Sequence, residues 1–277
     1  MNQIAAPRAA LSRRVWLSFP LIPAAAALLP QAVAQAQPRV QNWLRHVQWR
    51  VKPGKREEFE KHFLGFMKTY HQARKDAGMQ EGWTLTKLVF PSGDEAPYHY
   101  SSNVLSKTFP DLDQSPAELE PVYRKLGTTR EKYMAMMAEV GTVVRTAVTM
   151  RVELVGKLSV GDVARIDYAK VANKNLGEYI NMERTIYKAL REDQNKNGTL
   201  SAWSINRVVY PGGTSRAFDA YTLQASKDFQ GLQTAISGGA AQFAKIHPNL
   251  NYLTITNRTN EIKEIVNTSV IRVMAIV

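Results

Sequence analysis

Shifted by 120 residues, the amino-acid sequence aligns with itself without a gap for about sixty positions. The stretch from Gly82 to Gly93, Gly-Trp-Thr-Leu-Thr-Lys-Leu-Val-Phe-Pro-Ser-Gly, returns from Ala202 to Gly213 as Ala-Trp-Ser-Ile-Asn-Arg-Val-Val-Tyr-Pro-Gly-Gly. Upstream, Val51, Glu58, Phe59, Lys68 and Gly78 match Val171, Glu178, Tyr179, Lys188 and Gly198; downstream, Ser106, Lys107, Phe109 and Leu112 match Ser226, Lys227, Phe229 and Leu232. A chain built this way holds two copies of one fold unit, here residues 37–157 and 158–277.

Residues 1–36 read as an export signal. Arg8, Arg13 and Arg14 precede an apolar run from Val15 to Leu29, and Ala34-Gln35-Ala36 supplies a small-x-small cleavage pattern. The string Ser12-Arg13-Arg14-Val15-Trp16-Leu17 resembles the twin-arginine export motif, with the general secretory route equally open. Pro20, Pro23 and Pro30 interrupt the run, which falls short of the ~20 apolar residues of a spanning helix. The expected mature chain is therefore soluble and periplasmic or secreted, without a membrane partner. Its formal charge falls from +12 to +9, because the removed segment carries three Arg and no acid. The remaining Lys and Arg are scattered rather than gathered on one face with aromatics, which argues against nucleic acid. No cysteine is present, so a thiol nucleophile, a thiolate metal site, Cys-x-x-Cys-His haem attachment and a lipoprotein anchor are excluded.

Each copy reads as strand, helix, strand, hairpin, strand, helix, strand. Trp43, Val47, Trp49 and Val51 share one face of the first strand, predicted over 43–52 and, in the second copy, over 163–172. Phe59, Phe63, Phe66, Met67 and Tyr70 fall at helical spacing, as do Tyr179, Met182, Ile186 and Leu190; both helices are expected to end near a Gly, Gly78 and Gly198. The turns Pro91-Ser92-Gly93 and Pro211-Gly212-Gly213 lead to third strands at 98–105 and 218–225. Second helices are expected over 116–140 and about 231–245, and fourth strands over 143–155 and 265–277. This β-α-β-β-α-β order is the ferredoxin-like unit, an α+β arrangement whose uncovered sheet face needs a partner.

Two such units in tandem supply that partner to each other, their antiparallel sheets packing face to face as one pseudo-symmetric barrel. The element order, the Val51-Lys52-Pro53-Gly54 entry to the first helix and the Phe/Tyr-Pro-Ser/Gly-Gly hairpin resemble the dimeric α+β barrel superfamily over essentially the whole mature chain. That resemblance implies a range of activities: cofactor-free monooxygenases, haem-degrading and chlorite-dismutase-like haem proteins, small isomerases and barrels of no settled chemistry. Fold alone does not choose among them.

A ligand is expected between the two sheets, where polar residues within strands are informative. Arg45 and Arg165 share one repeat position, and Lys87 and Arg207 another, as anchors for an anionic group. Trp83 and Trp203 begin equivalent strands and would wall the cavity. His46 and His99, replaced in the second copy by Ile166 and Asp219, are candidates for proton transfer or haem ligation, and Asp167 is a candidate base or an ion-pair partner of Arg165. The segment Asp193-Gln194-Asn195-Lys196-Asn197-Gly198-Thr199-Leu200-Ser201 matches the first nine places of an EF-hand loop, but Ser204 stands where the bidentate Glu belongs, so no metal site is assigned. The leading reading is an exported protein binding a small anionic or aromatic ligand, its cofactor and any reaction unknown and self-association open. The alternatives are a cofactor-free or haem-dependent oxidative enzyme, and a structural module with a filled barrel.

Overall fold

The computed structural model describes residues 42–93, 96–213 and 216–277. The segment read as an export signal lies outside them. Among the described residues no helix is long and apolar enough to cross a membrane.

The first half runs β1 (Asn42–Val51), α1 (residues 56–76), β2 (Gly82–Phe90), β3 (Tyr100–Ser106), α2 (Pro116–Lys125), α3 (Arg130–Val140) and β4 (Gly141–Gly156). The second runs β5 (Val163–Val171), α4 (residues 176–196), β6 (Ala202–Tyr210), β7 (Ala220–Ser226), α5 (Phe229–Ser237), α6 (Gly239–Ile246), α7 (Tyr252–Ile262) and β8 (Lys263–Ile276). The eight strands form one closed antiparallel barrel in the order β1-β3-β2-β8-β5-β7-β6-β4. Two ladders join the halves: β2 with β8, from Thr84↔Ile276 to Phe90↔Val270, and β4 with β6, from Val148↔Tyr210 to Gly156↔Ala202. The halves thus share one hydrogen-bonded sheet rather than stacking as two separate sheets. Closure leaves no free edge along these ladders, which removes the usual route to edge-to-edge aggregation.

Over most of their length the strands consequently have two covered faces, one toward the helices and one toward the barrel lumen, while Thr142–Val144 of β4 and Glu264–Thr268 of β8 are exposed. The helix-facing layer holds two apolar clusters. One gathers Phe59, Phe63, Trp83, Tyr100 and Met137, the other Tyr179, Trp203, Ile205, Leu200 and Phe243. A third cluster, with Tyr98, Ile166, Tyr168, Phe218, Tyr221 and Ile271, lies inside the barrel.

Helices α1 and α4 each carry one π-helical turn, at Phe63–Met67 and Glu183–Tyr187, positions that coincide under the 120-residue shift. A π-turn adds a residue to the local winding and turns the following side chains relative to those before it. Gly78 and Gly198 follow these helices at φ +72° and +79°, as the cap pattern predicts. The region expected as one helix over 116–140 is instead two, broken at Gly127 (φ +66°) and restarted by Thr129, whose hydroxyl accepts from the Lys132 N–H. In the second half the helix expected at about 231–245 is two, α5 and α6, and a further helix, α7, follows where none is predicted, its Asn251 cap accepting from the Thr254 N–H ahead of the β-branched run Thr254-Ile255-Thr256.

Candidate functional site

Alternation along β1 decides where each candidate points. Leu44, His46 and Gln48 line the lumen, while Trp49 packs against Phe59 and Phe63 of α1 on the opposite face. Arg45 shares that outer face: its guanidinium donates to the Leu112 carbonyl at 2.7 Å, so it is not a lumen anchor. Arg165 is likewise outside, ion-paired through Nε to Asp167 Oδ1 at 2.8 Å, and Asp167 also accepts from the Thr268 hydroxyl. The assignment of this cationic pair to the space between the sheets is therefore corrected. Both faces of these strands are buried, so an apolar period-two pattern marks the helix side as readily as the lumen.

The same correction applies to the other outer-face residues. Trp83 is stacked on His71 with ring centroids 4.7 Å apart and donates to Ser102 Oγ at 2.8 Å, and Trp203 belongs to the second helix-side cluster. Lys87 pairs with Glu60 of α1 at 2.8 Å. Arg207 is exposed and borders a cavity of about 310 Å³ with Arg184 of α4. His99 accepts the Val51 N–H through Nδ1 at 3.0 Å, and its counterpart Asp219 accepts the Val171 N–H at 2.7 Å. The two different side chains thus do the same structural job in the two copies.

His46 is the candidate that faces the lumen. Its Nδ1 lies 2.8 Å from Asn103 Oδ1, and Nε2 lies 2.8 Å from Thr149 Oγ1 and 3.2 Å from the Tyr221 hydroxyl. The Asn103 amide nitrogen faces the Thr84 and Ser101 carbonyls, which only accept, so its oxygen is turned to His46. Nδ1 then carries the proton and Nε2 is the acceptor. Burial lowers the His46 pKa to about 4, the Asn103 hydrogen bond opposing this and Arg151 and Arg145 adding to it. His46 is neutral near pH 7. Burial also raises the Tyr221 pKa, which keeps its hydroxyl protonated.

The lumen holds a cavity of about 110 Å³. It is lined by His46, Asn103, Thr149, Arg151, Asn206 and Tyr221 at its centre, and no acidic residue is among the described residues around it. Arg151 lies across the β4–β6 ladder from Asn206 and makes no hydrogen bond or ion pair with any described residue. Its Nε and Asn206 Oδ1 are both buried without a partner. Burial opposes the Arg151 charge, and only nearby Tyr221 favours it. Native proteins seldom leave such groups unmet, because each costs its full desolvation. Arg145, on the same face of β4, lies with its guanidinium 4.8 Å from the Phe218 ring centroid. Arg145, Arg151, Asn206 and Tyr221 escaped the sequence reading. The alternation Arg145, Ala147, Thr149, Arg151 along β4 was the available signal.

No protein-family model matches the sequence, and neither does any curated protein. Solved structures do resemble this chain in fold. A candidate monooxygenase from Lactobacillus acidophilus NCFM superposes with a TM-score of 0.53 at 8% identity over 86% of this chain and 95% of its own. A candidate monooxygenase from Fusobacterium nucleatum subsp. nucleatum gives 0.51 at 12% identity over 87% and 95%. The chain has the dimeric α+β barrel fold. A haem-binding protein from Thermus thermophilus is similar at a TM-score of 0.47 and 10% identity, over 86% of this chain and 94% of its own.

Within this dimeric α+β barrel the histidines foreseen as haem ligands do not fit that group. Both His46 nitrogens are engaged, and a cavity of about 110 Å³ is smaller than the roughly 150 Å³ that admits a benzene ring. His99 Nδ1 is committed to the backbone. The EF-hand-like loop is also accounted for by the fold. Asn195 donates to the Leu200 and Ser201 carbonyls, Asn197 accepts from Thr199, and Asp193 accepts from Gln242. Asp193 is thereby tied to α6, and no group of three or more His, Cys, Asp or Glu side chains that could hold a metal ion occurs among the described residues.

Proposed function

We propose that the protein is an exported binding protein that holds a small anion, a short carboxylate or an inorganic oxyanion, inside its barrel. One observation carries the reading: Arg151 stands without a counter-ion in a lumen that no described acid lines, beside the unmet Asn206 oxygen. A bound anion would supply the missing charge, and the hydroxyls of Thr149 and Tyr221 could turn toward it. The volume suits a short anion better than an aromatic acid. The reading as two tandem ferredoxin-like repeats is supported by the matching orders β4-β1-β3-β2 and β8-β5-β7-β6, and by the coincident π-turns.

Titration with trifluoroacetate, followed by ¹⁹F NMR, tests this. The wild-type protein is expected to show saturable binding that Arg151→Met abolishes while the protein stays folded. Equal binding by both proteins, or none by either, overturns the reading.

An oxidative enzyme of the cofactor-free kind is the second reading, favoured by the unprotonated His46 Nε2 at the lumen cavity, which would act as base once the Thr149 and Tyr221 hydroxyls turn from it. Its mark would be oxygen consumption with a bound acid that His46→Gln abolishes.

A further inference from the structure

A second cavity, of about 200 Å³, adjoins the lumen and shares with it Gln48, Tyr98, Arg145, Tyr168 and Phe218. Its remaining lining residues, Pro97, Ala217, Val266 and Asn267, lie toward the surface, Pro97, Val266 and Asn267 exposed and Ala217 at the end of the loop before β7. It lies between the surface and the lumen cavity, and the five shared residues form the wall between the two. That wall is largely aromatic. The Tyr98 and Tyr168 hydroxyls are 3.5 Å apart, and the Tyr168 and Phe218 ring centroids are 4.6 Å apart. Tyr98 and Phe218 are also repeat equivalents, so the two copies contribute matching rings from opposite sides.

Arg145 is the one charged group among the described residues that line both cavities. It is half-buried, forms no ion pair there, and is held against the Phe218 ring. We infer that Arg145 selects the ligand at the mouth, drawing anions through the Tyr98–Tyr168–Phe218 constriction toward Arg151. This rests on the lumen reading above and assigns the two arginines different work. Arg151 holds the bound anion, so its loss speeds release. Arg145 acts on the anion in transit, and a cation at a low-dielectric mouth raises the rate of encounter in a salt-dependent way. The aromatic ring limits passage in both directions.

Rates of trifluoroacetate exchange, taken from ¹⁹F line shapes at low ionic strength and again in potassium gluconate, whose anion is too large for the lumen, separate these roles. For Arg145→Gln the association rate is expected to fall about tenfold at low ionic strength, with dissociation changed less than about threefold. Added gluconate should slow the wild type toward the variant and leave the variant nearly unchanged. Phe218→Ala should raise both rates together. Overturning results are a variant that associates as fast as wild type, or a loss that appears as faster dissociation, which would place Arg145 in the bound site. Absence of saturable binding by the wild type contradicts the lumen reading itself, and so is told apart from failure of the mouth alone.

Discussion

Arg151 illustrates what a functional group costs a fold. Its charge is buried, the Nε donor is unmet, and no described carboxylate answers it. In the absence of a bound anion, Arg151→Met should therefore stabilise the protein, by about 2 kcal/mol in urea unfolding. A destabilisation of similar size would make the arginine structural. His46 makes a second prediction at this scale. Its folded pKa, about 4, lies below the unfolded value near 6.5, so between these pH values the unfolded chain binds the extra proton. The contribution is fully present above about pH 6.5 and is lost as pH falls toward 4, roughly 3 kcal/mol from this residue. Burial shifts His71 in the same direction, adding to the slope. Unfolding midpoints measured from about pH 7 to 4 should fall for the wild type and less steeply for His46→Gln; parallel curves would contradict the assignment.

Elements are fixed by a few backbone positions, and Gly156 at the end of β4 is the sharpest. It sits at φ +67°, and a Cβ there would meet the Ser201 carbonyl oxygen at 2.1 Å, a backbone atom that cannot step aside. Gly156→Ala should cost at least ~2 kcal/mol, whereas Gly54→Ala, at φ +75° with open space around it, should cost about 1 kcal/mol. Melting temperatures of the two variants compare them directly; equal losses would count against this account of the β4 terminus. The duplicated strands, the helix-ending glycines and the Pro-Gly hairpins were legible because turn chemistry and period are local properties. Side-chain direction was not, since Trp43, Arg45, Val47 and Trp49 on the helix face are half-buried, as is His46 on the lumen face. The register that brings Tyr221 to His46, 175 residues away, is set by barrel closure. No spacing in the sequence encodes it. Helix α7 was hidden for the opposite reason: the Asn251 cap and packing of Ile262 outweigh a β-branched run.

The whole molecule is joined by the β2–β8 and β4–β6 ladders, so each half alone would expose two hydrogen-bonding edges and the apolar part of its lumen wall. Separately produced segments 37–157 and 158–277 should therefore combine into a one-to-one complex, seen by light scattering after size exclusion; halves that remain folded and apart would show that the seams are weak. The sequence repeat also frames the specialisation of the site. The copies share what the helix layer needs, such as Trp83 and Trp203, while the lumen is asymmetric: His46 faces it where the second copy has Ile166, and Arg145 and Arg151 both come from β4. The lumen reading is tested most directly by anomalous diffraction from crystals equilibrated with selenate. The expected map places selenium inside the barrel within hydrogen-bonding reach of the Arg151 guanidinium. Selenium confined to the outer surface, with only water beside Arg151, would contradict it.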